Sequence, residues 1–323
     1  MIEATNLGKR YGALEAVKGV SFGIQAGEVV GLLGPNGAGK TTIMKILTCF
    51  MYPSYGTATL GGCDVFTDPL AIKRQVGYLP ENAPLYTDLN VMEYLDFIAD
   101  ARGLVGSHKA QRIGEVIGEC GLEPVVYRGI NTLSKGFRQR TGLAQAIVHN
   151  PQILILDEPT SGLDPNQIIE IRQLIKRLGQ EKTVILSTHI LQEVEATCNR
   201  VLILNEGRIV AQGTTEQINR ELRGEVILAV TVTGGRQPGS TLAGLSGVRE
   251  VLKNEPAGVK PGREAGANRF QLNLSVDPDS GVEERLFDWA VAEGYRIVAL
   301  VPQRLSLEEL FIKLTREGGA NAQ

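Results

Sequence analysis

The chain has 323 residues, 43% of them hydrophobic, enough for two domains with sizeable cores and too apolar for a disordered chain. Its 33 Lys and Arg against 36 Asp and Glu give a formal net charge of -3, which removes the overall basic excess of a nucleic-acid or anionic-membrane binder. No window offers roughly 18 uncharged apolar residues, the N-terminus has no signal-peptide pattern, and Cys49, Cys63, Cys120 and Cys198 show neither metal-ligand nor redox spacing, so the expectation is a cytoplasmic chain held at a membrane only by a partner.

Residues 2–25 hold two short apolar segments around Lys9-Arg10-Tyr11-Gly12 and predict a sheet of their own. Tyr11, the one aromatic near this turn, has two readings: simple packing, or a platform on which a nucleotide base stacks. The apolar run 29–33 then leads into Gly34-Pro35-Asn36-Gly37-Ala38-Gly39-Lys40-Thr41 and on through Thr42 to Leu47, which reads as strand, glycine loop, helix. Glycines let the backbone turn its N–H groups inward, and the helix adds its positive N-terminal end, so the stretch makes a cradle for phosphate. In such a cradle Lys40 reaches the β- and γ-phosphates and Thr41 holds Mg²⁺.

Beyond that helix, residues 53–64 are turn-rich around a short alternating run, and 76–81 read as a buried strand stopped by Pro80. Asn90 and Glu93 form a capping pair for a helix whose Val91, Leu95 and Ile98 share one face, and a second helical pattern runs from about 109 to 120. Residues 84–150 are thus a mostly helical insertion. The β-branched and leucine run 152–156 indicates a strand covered on both faces, with Asp157 and Glu158 at the end where open α/β sheets bind ligands. Neighbouring strand side chains point apart, so the first carboxylate can hold Mg²⁺ while the second orients or deprotonates an attacking water. A helix over 166–178 and a buried strand over 183–187 follow, ending at Thr188-His189. His189 is either structural or a hydrogen-bond partner for a γ-phosphate or the attacking water. A hairpin of 201–204 and 209–212 closes the domain.

In this order the motifs of residues 1–215 resemble those of the nucleotide-binding subunits of ABC transporters. Tyr11 falls where that family places its base-stacking aromatic. Leu133-Ser134-Lys135-Gly136-Phe137-Arg138-Gln139-Arg140 resembles the family's signature, usually read LSGGQ followed by Arg-Gln-Arg, and Ser161-Gly162-Leu163-Asp164 resembles its D-loop. The resemblance implies an α/β P-loop NTPase fold with an antiparallel β subdomain and a helical insertion over 1–218. It further implies ATP and Mg²⁺ as ligands. ATP binding would fall to Tyr11, Gly34, Pro35, Asn36, Gly37, Ala38, Gly39, Lys40, Thr41 and Thr42, the metal to Thr41, Glu81 and Asp157, and catalysis to Glu158, His189 and Lys40. Leu133, Ser134, Lys135, Gly136 and Asp164 would contact the nucleotide of a second subunit. One chain carries one phosphate loop and one signature, so the simplest closed solution is a twofold dimer.

Within the family the chain looks most like ABC-2 type export ATPases, including a gliding-motility-associated subgroup. This implies an integral membrane permease as partner, a place on the inner face of the cell membrane, and no nucleic acid. The rival readings are a soluble ABC ATPase acting on a non-transport partner and an ATP-dependent module that does not hydrolyse. The sequence departs from the family pattern in three places. Glu81 stands where most relatives carry glutamine, adding a negative charge to Asp157 and Glu158, and Lys135 and Phe137 replace a glycine and a glutamine. Two readings of Lys135 stand, charge near a phosphate or a solvated side chain.

After Gly224 the character changes, and residues 219–323 suggest a compact α+β accessory domain. Strands are expected over 226–232, 248–252, 270–276 and 295–301. A Gly/Pro-rich loop over 255–268 is expected to be mobile. Ser280 with Glu283, and Ser306 with Glu309, are capping pairs for two helices, the last carrying Leu307, Leu310, Phe311 and Leu314 as an apolar stripe.

Overall fold

The computed structural model describes residues 1–214, 217–218, 226–234, 238, 242, 244–256, 268–277 and 280–303. The described residues fall into two compact units, one over 1–214 and the other over 217–303. Among the described residues no helix is long and apolar enough to cross a membrane.

In the first unit, strands β1 (Ile2–Tyr11) and β2 (Leu14–Ile24) pair antiparallel, and β4 (Tyr55–Leu60) and β5 (Cys63–Asp64) extend them into a four-stranded sheet, order β2-β1-β4-β5. The central sheet is built from β3 (Val29–Leu33), β6 (Val76–Leu79), β7 (Ile153–Asp157), β8 (Thr183–Thr188), β9 (Arg200–Asn205) and β10 (Arg208–Gly213), order β10-β9-β3-β8-β7-β6. All its pairings are parallel except the β9–β10 hairpin.

Every residue of β3, β7 and β8 is buried, as their uninterrupted apolar runs require. The two-residue pleat then sends alternate side chains to different cores. Val29, Leu154, Leu156, Val184 and Leu186 pack with the helical layer, while Val30, Leu32, Ile153, Ile155 and Ile185 pack toward the antiparallel sheet. Each such side chain contributes roughly 2 kcal/mol of burial free energy. This two-sided packing fixes the strand ends, from which the loops of the site emerge.

Helix α1 (Lys40–Leu47) follows β3, and α2 (Pro69–Gln75) precedes β6. The helical layer holds α3 (Val91–Ala101), α4 (Gly106–Cys120) and α5 (Lys135–Ile147). The capping pair expected for α3 forms in full: Glu93 N donates to Asn90 Oδ1 and Asn90 N to Glu93 Oε2, both at 2.9 Å. Helices α6 (Pro165–Gly179) and α7 (Leu191–Thr197) flank β8 in sequence.

The second unit contains a four-stranded antiparallel sheet of β11 (Val226–Gly234), β12 (Val248–Pro256), β13 (Asn268–Val276) and β14 (Arg296–Gln303), order β12-β13-β11-β14. Leu228, Val230, Val232, Phe270, Leu272 and Leu274 share a core with Leu286 and Trp289 of helix α8 (Val282–Ala292). The Ser280 cap is corrected. Helix α8 starts from Gly281 in a left-handed conformation, φ 63°, with no side-chain cap, so Ser280 stands one residue too early to receive a helical N–H. Most of the expected loop, from 257 to 267, and the final helix with its Leu307, Leu310, Phe311 and Leu314 stripe lie outside the described residues.

Candidate nucleotide site

The loop between β3 and α1 has glycine where no other residue fits. A Cβ on Gly34 would stand 2.4 Å from the Leu204 carbonyl oxygen, and Gly39, at φ 106°, would place one 2.5 Å from that of Ala16. Lys40, at the start of α1, is buried. Its ammonium donates to the Gly34 and Pro35 carbonyls at 2.7 and 3.2 Å and stands 3.3 Å from Glu158 Oε1.

Asp157 closes β7 and is fully buried. Its Oδ1 accepts from Ser187 Oγ at 2.5 Å, and the same hydroxyl accepts from Glu158 N at 2.9 Å, so one β8 serine fixes both acidic residues. Oδ2 of Asp157 is buried without a hydrogen-bond partner. Burial, reinforced by the Asp157 charge, pushes the neighbouring Tyr78 hydroxyl far above its ordinary value, so that phenol stays protonated. Glu158 takes a left-handed backbone conformation, φ 48°, which costs a non-glycine residue about 1–2 kcal/mol. That turn aims its carboxylate between two partners, with Oε1 toward Lys40 and Oε2 2.9 Å from His189 Nδ1.

Lys40, Glu158 and His189 face an open cavity of about 610 Å³. Ten of the residues assigned from the sequence to ATP, metal or catalysis line it: Tyr11, Asn36, Gly37, Gly39, Lys40, Thr41, Thr42, Glu81, Glu158 and His189. Gly34, Pro35 and Ala38 do not. The first two offer their carbonyls to Lys40, and Ala38 is buried. Tyr11 is 44% exposed, with its hydroxyl donating to Met51 Sδ at 3.1 Å, so it is not a core side chain. Asp157 lies behind the cavity wall at the strand end.

The signature lies elsewhere, and of the D-loop only Ser161 reaches the cavity. Ser134 caps α5 by accepting from Phe137 N at 3.3 Å, and Asp164 caps α6 by accepting from Gln167 N at 3.0 Å. The two helix starts are packed together, since a Cβ on Gly136 would meet the Gln167 amide at 2.6 Å and one on Gly162 would stand 2.0 Å from Lys135 Nζ. Lys135 thus lies along its own D-loop. None of Leu133, Ser134, Lys135, Gly136 and Asp164 lines the cavity. Sequence reasoning passed over Leu14 and Ala16, which do line it, named Ser161 only as part of the D-loop, and missed the supporting Thr160, Ser187 and Glu193. Their one sequence signal is proximity to the strand ends that carry Glu158 and His189.

The donor set suits a hard cation completed by phosphate oxygens. Among the described residues no three His, Cys, Asp or Glu side chains group closely enough to hold a metal by themselves. A buried carboxylate with one unspent oxygen, a threonine hydroxyl and the cavity-lining Glu81 carboxylate are the oxygen ligands Mg²⁺ takes beside a nucleotide.

Strand, glycine loop and helix facing a carboxylate and a histidine at adjacent strand ends define a P-loop nucleotide-binding cassette. The family model described as ABC transporter matches residues 17–161. The chain is 32% identical to the linearmycin resistance ATP-binding protein LnrL of Bacillus subtilis (strain 168), over 98% of each chain. It is 35% identical to the bacitracin transport ATP-binding protein BcrA of Bacillus licheniformis, over 69% of this chain and 72% of that one. The dimeric bacterial ABC transporter cassette MJ0796 has the same fold, with a TM-score of 0.62 and 28% identity over 66% of this chain and 98% of that one. The chain therefore belongs to the ABC transporter ATP-binding protein family: it is the ATP-binding subunit of an ABC transporter, and an ATPase.

Proposed function

We propose that the chain is the motor of an ABC-2 type exporter, hydrolysing ATP on the inner face of the cell membrane to drive a separate integral membrane permease. Export is favoured by relatives named for linearmycin resistance and bacitracin transport; neither carries a gliding-motility name. Residues 1–218 are the motor domain in this reading, and 219–323 the accessory domain.

The observation that carries the chemistry is the Glu158 carboxylate held between Lys40 and His189 on the cavity wall. ATP lies with its base against Tyr11 and its phosphates along residues 34–42. Lys40 exchanges its carbonyl and Glu158 contacts for phosphate oxygens. Thr41, Asp157 and Glu81 would hold Mg²⁺, which supplies charge neutralisation on the phosphate oxygens. Glu158 Oε1, released from Lys40, accepts the proton of the attacking water, and His189 holds the carboxylate and the γ-phosphate side in line. Because Ser134 and Gly136 lie outside the cavity of their own chain, their donors reach a γ-phosphate only from a second subunit, which supports a homodimer with two shared sites.

The test is phosphate release by the wild type and Glu158→Gln with Mg²⁺ and ATP, alongside size measurement. The variant is expected to lose at least about 100-fold in turnover while accumulating as an ATP-bound dimer. Undiminished turnover in Glu158→Gln would sink the assignment. Co-purification from native membranes in the presence of ATP is expected to recover a polytopic membrane protein; recovery of soluble complexes alone would favour the non-transport reading.

A further inference from the structure

Helix α7 begins two residues after His189, and its Glu193 is only 3% exposed. A carboxylate so deeply buried needs partners for both oxygens. Oε1 accepts from the Thr160 hydroxyl at 2.5 Å and Oε2 from the Thr188 hydroxyl at 2.6 Å, while Arg172 Nη2 of α6 approaches Oε1 at 3.7 Å. Thr160 stands two residues after Glu158, in the turn that Ser161 N closes by donating to the Glu158 carbonyl at 3.1 Å. Thr188 immediately precedes His189, and its hydroxyl accepts from Ile190 N at 3.0 Å. One carboxylate therefore ties the turn that leaves Glu158 to the turn that carries His189. Thr160, Thr188 and Glu193 do not line the cavity, so none of them is placed to touch a nucleotide.

The tie has a function because the pair it serves is weakly held. The His189 side chain is 46% exposed and bonds Glu158 across a single 2.9 Å contact. An exposed ring at the end of a strand keeps its aim only if the two chain segments keep their register, and a misplacement of about 1 Å costs on the order of 100-fold in rate. We propose that Glu193 is a positioning residue for hydrolysis: by clamping Thr160 to Thr188 it holds His189 at bonding distance from Glu158. The inference rests on the roles given above to those two residues.

A double-mutant cycle tests it. Turnover, KM for ATP and affinity for a fluorescent ATP analogue are measured for the wild type, Glu193→Ala, Glu193→Gln, His189→Ala and the two combinations. Glu193→Ala is expected to lower kcat roughly 10- to 100-fold with KM and analogue affinity within about threefold, since the phosphate loop hangs on another strand. Glu193→Gln recovers most of the rate, because its amide oxygen accepts from one threonine and its amide group donates to the other, whose hydroxyl can rotate. In the His189→Ala background Glu193→Ala costs less than about twofold, there being no ring left to aim.

An additive loss in that background, or a parallel loss of analogue binding, would make Glu193 a fold-supporting residue and overturn the inference while leaving the role of His189 intact. Full turnover in His189→Ala alone would overturn the role of His189 and the inference together. Should Glu193→Ala fail to fold, Thr160→Val, which removes one arm of the clamp and keeps the side-chain shape, enters the same cycle with the same expected outcomes.

Discussion

At the C-terminal ends of β3, β7 and β8, buried polar groups converge on open space, whereas at the opposite ends of the same sheet buried and half-buried polar groups turn back onto carbonyl oxygens of the chain itself. On the second edge His149 Nε2 meets the Val76 carbonyl at 3.2 Å, Lys182 Nζ donates to Asn150 Oδ1 at 2.5 Å, and Arg112 Nη2 donates to the Ile147 carbonyl at 3.1 Å. Both edges leave polar atoms without a hydrogen bond. At the first edge these include the carboxylate oxygens Asp157 Oδ2 and Glu158 Oε1; at the second it is His149 Nδ1, on a ring that burial keeps neutral. Burial of polar groups is therefore no mark of a site in itself. The mark is unsatisfied charge beside a cavity, which a ligand of opposite sign can complete.

The contrast breaks first at Lys40. Replacing it with alanine removes the buried cation that faces Glu158 Oε1 at the phosphate loop. Turnover is expected to fall at least about 100-fold and ATP affinity about 10-fold, read by phosphate release and analogue titration. A Lys40→Ala enzyme that binds and hydrolyses normally would leave this edge no more functional than the other.

Ser187→Ala sharpens it. The hydroxyl serves Asp157 Oδ1 and Glu158 N together, so its loss strips one bond from each and leaves a buried carboxylate under-bonded. The expectation is roughly a 10-fold drop in turnover and about 1–3 kcal/mol of stability, measured by denaturant unfolding. Loss of stability with unchanged turnover would show that the left-handed turn at Glu158 holds without it.

Much of this edge was legible in the sequence, because its chemistry is carried by local spacing. Gly34 and Gly39 mark positions of the turn that admit no Cβ, and carboxylates placed just after a two-faced apolar run fall on a strand end whatever the rest of the chain does. Ser187, Thr160 and Glu193 were not legible in this way. The bonds that tie Ser187 to Asp157 and Glu193 to Thr160 span about 30 residues, and periodicity reports only that such residues are buried, never what they touch. Lys135 shows the same limit from the other side. Its charge was plain, but that its ammonium lies along Gly162 depends on how α5 packs against the D-loop. Ser280 failed for a purely local reason, since Gly281 takes the left-handed conformation and moves the helix start past the serine's reach.

The smallest effect on turnover is expected at His149, where the second edge is tested on its own terms. Burial lowers its pKa from 6.5 to about 4, with the Arg102 charge acting in the same direction. The unfolded chain takes up a proton near pH 6.5, and the folded chain resists until about pH 4. Over that window the unfolded state binds more protons, so this contribution is complete above pH 6.5 and is lost as the pH falls. Asp64, whose pKa is lowered from 3.8 by the Thr57 hydrogen bond, and Glu115, lowered from 4.5 by Gln111 and Arg112, act in the same direction but only toward the acid end of the range. Between pH 6.5 and 4.5 His149 should therefore cost the fold about 2 kcal/mol. His149→Gln keeps a donor for the Val76 carbonyl and does not titrate, so its urea midpoint should stay nearly level over that range while the wild type's falls, with turnover at pH 7.5 within about twofold. A variant that kept its stability and lost its turnover would place function at both edges of the sheet, and the distinction between unsatisfied charge and polar groups spent on the chain's own carbonyls would no longer separate them.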